Sequence, residues 1–166
     1  MRILGIDPGI ATIGIGLLEA TSRTTLHVID WLTITTPAGL PLPERLQEID
    51  RDLTALLRDM KPNLAVVERL FFATNARTAI DVAHGRGVIL CRLASEGIDL
   101  LEPTPLQLKL AITGDGKADK HQVQTMLMHL LQLTEIPKPD DAADALALAA
   151  YGALLQGETA NAMLRQ

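Results

Sequence analysis

The sequence predicts an α/β protein in which helices pack on a mixed five-stranded sheet. Three strand-like segments follow one another with short gaps in the first 35 residues, and gaps of that length indicate antiparallel neighbours. Two more short apolar segments alternate with long amphipathic ones, and a strand reached through a helical crossover runs parallel to its neighbour. We therefore expect a three-strand antiparallel meander plus two parallel strands, flanked by helices.

The first strand, at residues 2–7, is expected to end on a carboxylate. A short apolar run closed by Pro8 and Gly9 is typical of a buried strand that leads into a tight turn. Asp7 should then stand at the carboxyl end of the strand, where open α/β sheets place their ligands. The two further strands of the meander are expected at residues 11–18 and 24–35.

The pattern changes to helical spacing after Pro37. Leucine and isoleucine recur between charges in residues 43–60, which predicts an amphipathic helix. A buried strand-like run at 63–68 then ends on Glu68, a second carboxylate at a strand end. The remaining elements are expected in this order: a helix at 74–96, a strand at 98–102, a short helix from Thr104-Pro105, and helices at 117–133 and 141–155.

Length and composition limit the class of protein. A chain of 166 residues is expected to form one domain, here residues 1–155, with 156–166 as a flexible tail. Trp31 and the single cysteine, Cys91, are expected in the core. One cysteine, no signal-peptide pattern and no membrane-length apolar run together indicate a cytoplasmic protein without membrane contact. The net charge of −5 argues against a polyanionic partner unless acids bind divalent cations.

Four acidic residues are expected to meet at one site. Asp141 and Asp144 are spaced to share one face of the last helix, and Asp140 is assigned to its N-cap. The small apolar residues after them require close packing, and packing on the sheet would bring them to Asp7 and Glu68. Carboxylates without cations repel one another, and oxygen ligands favour hard ions. The set predicts one or two Mg²⁺ or Mn²⁺ ions, which can promote phosphodiester hydrolysis.

Three motifs carry a resemblance to a known family. They are IDPG at residues 6–9, VVERLFFATNA at 66–76 and PDDAADALALA at 139–149. In order and spacing they resemble the RuvC-type Holliday-junction resolvases, which have the RNase H-like fold, over nearly the whole chain. The resemblance implies a homodimer that binds a four-way DNA junction and nicks two strands symmetrically with Mg²⁺ or Mn²⁺. It also implies partnership with a branch-migration complex of the RuvA–RuvB type.

The motif match also implies roles for acidic and aromatic residues. The catalytic, metal-binding carboxylates would be Asp7, Glu68, Asp141 and Asp144. Phe71 matches an aromatic residue that packs against DNA bases near the junction, and Phe72 beside it is an alternative. A ring stacked on bases contributes about 1–3 kcal/mol per base. Packing in the core or at a dimer interface is the other interpretation of these rings.

Several basic residues are candidates for contact with the DNA backbone. Lys109 and Lys120 match two lysines that the family places against phosphates. Lys117, beside the glycine-containing loop at residues 114–116, is a further candidate, and three arginines fit phosphate contacts and solvated surface charges equally well: Arg69, Arg77 and Arg86.

Two coordinated cuts related by two-fold symmetry require two sites related in the same way. The helix predicted at 74–96 is the candidate dimer interface, since glycine on one of its sides would allow close approach. That side carries Ile80, Ala83, Gly87, Leu90 and Cys91. Burial of the same side within the monomer is the alternative.

Three other functions fit parts of the pattern. Asp7, Gly9 and Thr12 resemble the first phosphate loop of actin- and sugar-kinase-type ATPases, but those proteins need a second lobe for which this chain lacks the length. The YqgF-type family of small nucleases also opens with a DPG-like turn; the pairing of Glu68 with Phe71 and the DAADALALA helix favour the resolvase. A non-catalytic junction binder would not need all four carboxylates.

Overall fold

The computed structural model describes residues 1–22, 25–70 and 76–163, and the side chains of all of these except 76–78 and 156–163. The strands are β1 (Arg2–Asp7), β2 (Thr12–Ala20), β3 (Leu26–Thr35), β4 (Leu64–Val67) and β5 (Asp99–Leu101). They form one sheet in the order β3-β2-β1-β4-β5. β1, β2 and β3 pair antiparallel, whereas β4 is parallel to β1 and β5 is parallel to β4. The predicted meander plus two parallel strands is therefore confirmed.

The register of the central strands brings two carboxylates to one edge of the sheet. Ile6 on β1 is paired with Val67 on the parallel strand β4. Asp7 follows Ile6 and Glu68 follows Val67, so the two acids lie side by side at the carboxyl ends of the two strands. This is the edge at which parallel strands place ligands and catalytic groups.

Helices cover both faces of the sheet within the described ranges. They are α1 (Leu42–Met60), α2 (Ala76–Ser95), α3 (Pro105–Thr113), α4 (Lys120–Leu131) and α5 (Asp140–Met163). Because successive strand residues point to opposite faces, Leu4 packs in a cluster with α1 and α2, whereas Ile3 packs with α3, α4 and α5. Burying such a side chain stabilises the fold by about 1.5–3 kcal/mol. The two apolar clusters thus fix the strand ends that carry the acids.

Two glycines let the backbone of α5 lie directly on the sheet. A Cβ atom on Gly5 would stand 1.8 Å from the carbonyl oxygen of Ala145, and one on Gly14 would stand 1.9 Å from that of Asp141. Real Cβ atoms do not approach other atoms so closely, so any larger residue would push α5 away. The close contact brings the acidic start of α5 to the strand ends, as the small residues of that helix predict.

Some helix boundaries differ from the prediction. α4 begins later than expected because Asp119 is its N-cap, and the Asp119 carboxylate accepts a hydrogen bond from the backbone N–H of Gln122. α5 continues to Met163, whereas the sequence placed its end at residue 155. Thr104 caps α3 as predicted. The flexible tail and the single-domain limits stay predictions.

The expectation that Trp31 and Cys91 lie in the core is wrong. Trp31 is 39% exposed, because β3 is the outermost strand of the sheet and helices cover it less completely. Cys91 is exposed, because α2 buries Ile89 and Leu93 and a helix turns position 91 to the opposite side. Among the described helices, none has the length and apolar character needed to cross a bilayer.

Candidate active site

Three acidic side chains line one cavity at the carboxyl ends of β1 and β4. Asp7 is the last residue of β1, Glu68 follows β4, and Asp144 lies in the second turn of α5. The cavity has a volume of about 210 Å³. Its other walls are formed by Pro105, Leu108, Lys109, Lys120, Val123, Ala147 and Leu148. The strand ends therefore open into a concave site with charged groups set among apolar walls.

Asp141, the fourth predicted carboxylate, lies beside this cavity rather than in its lining. It is half-buried in the first turn of α5. Its charge is close enough to Asp7 to help raise the pKa of that carboxyl group. The structure thus brings together all four acids that the sequence singled out.

The pKa of Asp7 is raised from the usual 3.8 to about 7. Burial is the largest cause, and repulsion from Asp144, Glu68 and Asp141 adds to it. Lys120 lowers the pKa but does not compensate for the other effects. A carboxyl group that keeps its proton close to neutral pH is short of positive partners. A divalent cation would supply the missing charge.

The two other acids of the cavity are perturbed in the same direction. Burial, and then the charge of Asp144, raises the pKa of Glu68 against the lowering effect of Lys109. Burial also raises the pKa of Asp144, and repulsion from two neighbouring acids contributes. Asp144 accepts a hydrogen bond from Lys120, yet its pKa remains high because one ammonium group does not offset burial and acidic neighbours.

Lys120 bridges two acids of α5. Its Nζ atom lies 3.1 Å from Oδ2 of Asp144 and 3.2 Å from Oδ2 of Asp140. Partial burial acts to lower the pKa of Lys120, but the bonds to Asp144 and Asp140 outweigh it and raise the pKa. The N-cap assignment of Asp140 is wrong. The carbonyl of Pro139 accepts the bond from the N–H of Ala143, so Asp140 is already in the first turn.

The predicted DNA-binding residues fall at different distances from the cavity. Lys109 lines it, whereas Arg69 and Lys117 are exposed outside it. The side chain of Arg77 and the whole of Phe71 and its neighbour Phe72 lie outside the described part of the chain. Their assignment to DNA stays a prediction.

The chemistry of the cavity fits a hard divalent cation. Carboxylate oxygens are the ligands that Mg²⁺ and Mn²⁺ prefer, and repulsion from three nearby acids adds to burial in raising the pKa of Asp7. Within the described ranges, no three acidic, histidine or cysteine side chains stand close enough to surround one ion as they are placed. Asp144 is paired with Lys120 instead. The residues that would hold an ion are Asp7, Glu68, Asp141 and Asp144, and Asp144 would have to exchange its ammonium partner.

Arg86 and Glu102 form a contact beside the site that the sequence did not predict. Nε of Arg86 donates a hydrogen bond of 2.9 Å to the backbone carbonyl of Glu68, and Nη2 donates to Oε2 of Glu102. Arg86 is therefore neither a solvated charge nor a free phosphate contact. The one signal in the sequence was the neighbouring Gly85, because a glycine within a helix often marks close packing, and a Cβ atom there would stand 2.8 Å from the carbonyl oxygen of Gly9.

The fold and the acidic cavity define a nuclease of the RNase H-like class. A family model described as "Crossover junction endodeoxyribonuclease RuvC" matches residues 3–151. The chain belongs to this RuvC family of crossover junction endodeoxyribonucleases, whose members depend on divalent metal ions.

Individual relatives agree with the family match. The crossover junction endodeoxyribonuclease RuvC of Syntrophomonas wolfei is 50% identical over 149 residues, which cover 90% of this chain and 86% of that protein. The RuvC of Chloroflexus aurantiacus is 50% identical over 149 residues, 90% of each chain. The structure of T. thermophilus RuvC in complex with a Holliday junction substrate has a TM-score of 0.89 at 30% identity and covers 96% of both chains. The predicted family and fold are confirmed, and the ATPase and YqgF-type alternatives are set aside.

Proposed function

We propose that Asp7, Glu68, Asp141 and Asp144 carry out the resolution of Holliday junctions that belongs to this chain as a member of the RuvC family. One observation carries the assignment: the pKa of Asp7 is about 7 in a cavity that it shares with Glu68 and Asp144. Shifts of this size concentrate at functional sites, because catalysis and ion binding require charges that the fold alone would not bring together.

We propose Mg²⁺ or Mn²⁺ as the divalent ion, with one or two ions in each site. When bound, such ions supply Lewis-acid catalysis for phosphodiester hydrolysis. The carboxylates hold them, and Asp7 must release its proton to do so, which acid pH opposes. Apolar walls at Leu108 and Leu148 exclude water from one side and strengthen the electrostatic interactions of these carboxylates.

The basic residues are proposed to position the DNA backbone. Lys109 and Lys120 line the cavity, so they would meet the phosphates nearest the cut. Contacts to phosphates fix the register of DNA without reading its sequence. Farther out, we assign Arg69, Arg77 and Lys117 to more distant phosphates and Phe71 to stacking on bases at the junction.

We propose a homodimer that joins through the outer side of α2. Ile80 is 62% exposed, and Gly87 and Cys91 on the same side are exposed as well. The opposite side of α2 is buried through Ile89 and Leu93. An exposed apolar side with a glycine supports close packing of two copies, and a two-fold pair of sites supports paired nicks.

We further propose that residues 1–155 form the nuclease domain and act in recombination and DNA repair with a branch-migration complex of the RuvA–RuvB type. The DNA substrate and the single free cysteine, Cys91, support a cytoplasmic location.

The assignment is tested with a synthetic mobile four-way junction incubated with the protein and Mg²⁺ or Mn²⁺. We expect paired symmetric nicks that do not occur on linear duplex of the same sequence. Asp7→Asn should abolish cleavage and leave junction binding in gel shifts unchanged, because the lost group binds an ion rather than the DNA backbone. Intact junctions under all conditions would contradict the function, and loss of binding by Asp7→Asn would contradict the role of Asp7.

A further inference from the structure

Arg86 connects α2 to the ends of two strands. Its Nε donates a hydrogen bond of 2.9 Å to the carbonyl oxygen of Glu68, just past β4, and its Nη2 pairs with Glu102, just past β5. The Arg86 side chain is only 16% exposed. One planar guanidinium group therefore holds three elements together next to the cavity.

The carbonyl of Glu68 needs this donor because it lies beyond the end of the sheet. The last paired residue of β4 on the β5 side is Val66, which is opposite Leu101. A partly buried carbonyl without a ladder partner requires another donor, since leaving it unpaired is costly. The next residue is fixed separately, because the N–H of Arg69 donates to the carbonyl of Pro103 at 2.9 Å.

We propose that Arg86 is a positioning residue, which fixes the main chain of Glu68 so that its carboxylate faces Asp7 and Asp144. The inference rests on the role proposed above for Glu68. Arg86 does not line the cavity itself, so it acts through Glu68 and not by contact with DNA or an ion. This distinguishes it from the other arginines near the site, which remain candidates for phosphate contact.

The geometry requires arginine in particular. Nε and Nη2 are separate donors in one rigid plane, and they point at Glu68 and Glu102 at the same time. Lysine has one nitrogen at the end of a flexible chain. It can pair with Glu102, but it cannot bind Glu102 and the carbonyl of Glu68 at the same time as the two-pronged guanidinium fork of Arg86 does. Without the fork, the main chain of Glu68 is free to shift. Loss of a group that orients an ion ligand typically lowers ion affinity or activity about 10–100-fold.

The test compares Arg86→Lys with Arg92→Lys. Arg92 lies on the same helix and also binds a carboxylate, with Nε and Nη2 each 2.8 Å from an oxygen of Asp50, but it joins α2 to α1 away from the cavity. We measure Mn²⁺ affinity without DNA by calorimetry, junction binding without divalent ions, and single-turnover cleavage. In Arg86→Lys we expect Mn²⁺ affinity and cleavage to fall about 10–100-fold. Junction binding should match the wild type in both variants, and Arg92→Lys should bind Mn²⁺ normally.

Equal Mn²⁺ affinity and cleavage in Arg86→Lys and Arg92→Lys would overturn the inference. If Arg86→Lys does not fold, Glu102→Ala is tested in its place, with Asp50→Ala as its control. Mn²⁺ affinity that falls in Glu102→Ala but not in Asp50→Ala supports the positioning role. Equal Mn²⁺ affinity in these two variants overturns it. Glu68→Gln tests the proposed role of Glu68 separately from the positioning role of Arg86. If Glu68→Gln cleaves normally, the role of Glu68 fails and this inference fails with it. If Glu68→Gln is inactive while Arg86→Lys resembles the control, only the inference about Arg86 fails.

Discussion

Nζ of Lys120 lies 3.1 Å from Oδ2 of Asp144, so an ammonium group is paired with a carboxylate that we assign to ion binding. The Lys120 side chain is 51% exposed, and an ion pair of that exposure contributes only about 0–1 kcal/mol. A divalent cation carries twice the charge and can replace it. We therefore expect Lys120 to compete with an ion for Asp144 and, once an ion has bound, to make the phosphate contact proposed for it.

The first prediction concerns this competition. Lys120→Met should bind Mn²⁺ more tightly than the wild type in the absence of DNA, by up to about fivefold if the competing pair contributes up to 1 kcal/mol. The same variant should cleave junctions more slowly, because it loses the phosphate contact proposed for Lys120. Calorimetry with Mn²⁺ alone and single-turnover cleavage of a four-way junction separate the two effects.

Lys117→Met is the matched control for that prediction. Lys117 is exposed and does not line the cavity, so its removal should leave Mn²⁺ affinity unchanged. Weaker Mn²⁺ binding by Lys120→Met would show that the ammonium group supports the ion site instead of competing with it.

The second prediction concerns the stability of the protein without metal. Asp7 has a pKa of about 7 in the folded chain and an ordinary value of 3.8, so the folded state binds its proton more tightly than the unfolded state does. The resulting stability is present below pH 4 and is lost progressively as the pH rises to about 7. A shift of about 3 pKa units corresponds to roughly 4 kcal/mol. Asp7→Asn cannot ionise and should therefore be more stable than the wild type at pH 8, by at most that amount.

Urea unfolding at pH 4 and pH 8 in EDTA measures this difference. The advantage of Asp7→Asn should be small at pH 4 and large at pH 8, whereas Asp99→Asn, at an exposed position, should show no such gain. With Mn²⁺ in place of EDTA, the wild type should gain more stability than Asp7→Asn, because only the wild type has all four of the proposed carboxylate ligands. An advantage of Asp7→Asn that shrinks as the pH rises would contradict the assignment.

Most of the fold and the clustering of the acids at one edge of the sheet could be predicted from the sequence, because both depend on local patterns. The strand that ends on Asp7 and the paired acids Asp141 and Asp144 are visible as short motifs. The partners of charged groups were harder to predict. That Lys120 on α4 binds Asp144 on α5, and that Arg86 on α2 binds Glu102 just past β5, depends on how separate elements pack together, and no local spacing encodes that. The exposure of Trp31 likewise depends on which strand lies at the edge of the sheet.

The third prediction concerns the contact between α5 and β2. Gly14→Ala would place a methyl group 1.9 Å from the carbonyl oxygen of Asp141, so the start of α5 must move. Overpacking of this kind costs about 1–3 kcal/mol, and the shift should weaken Mn²⁺ binding and cleavage together. Gly39→Ala is the control, because a Cβ there meets nothing within 4 Å. Thermal unfolding and Mn²⁺ calorimetry check both effects, and normal ion affinity in Gly14→Ala would contradict the argument.

The fourth prediction concerns the dimer. A Cβ atom on Gly87 meets nothing within 4 Å in the single chain, so the folded monomer has room for a larger residue. Gly87→Glu should even favour the helix by several tenths of a kcal/mol. At the proposed interface, however, it would place a charge between two closely packed copies of α2. Sedimentation velocity should therefore show a wild-type dimer and a Gly87→Glu monomer that unfolds no earlier than the wild type.

Gly39→Glu provides the control for charge and size, since a Cβ atom on Gly39 also meets nothing within 4 Å but the residue lies in a turn between β3 and α1. It should remain dimeric. The Gly87→Glu monomer should lose the coupling between the two cuts, so that junctions accumulate with a single nick, because each protomer retains its own cavity. A wild-type monomer would contradict the proposed homodimer, and a dimer that survives Gly87→Glu would place the interface elsewhere than on the outer side of α2.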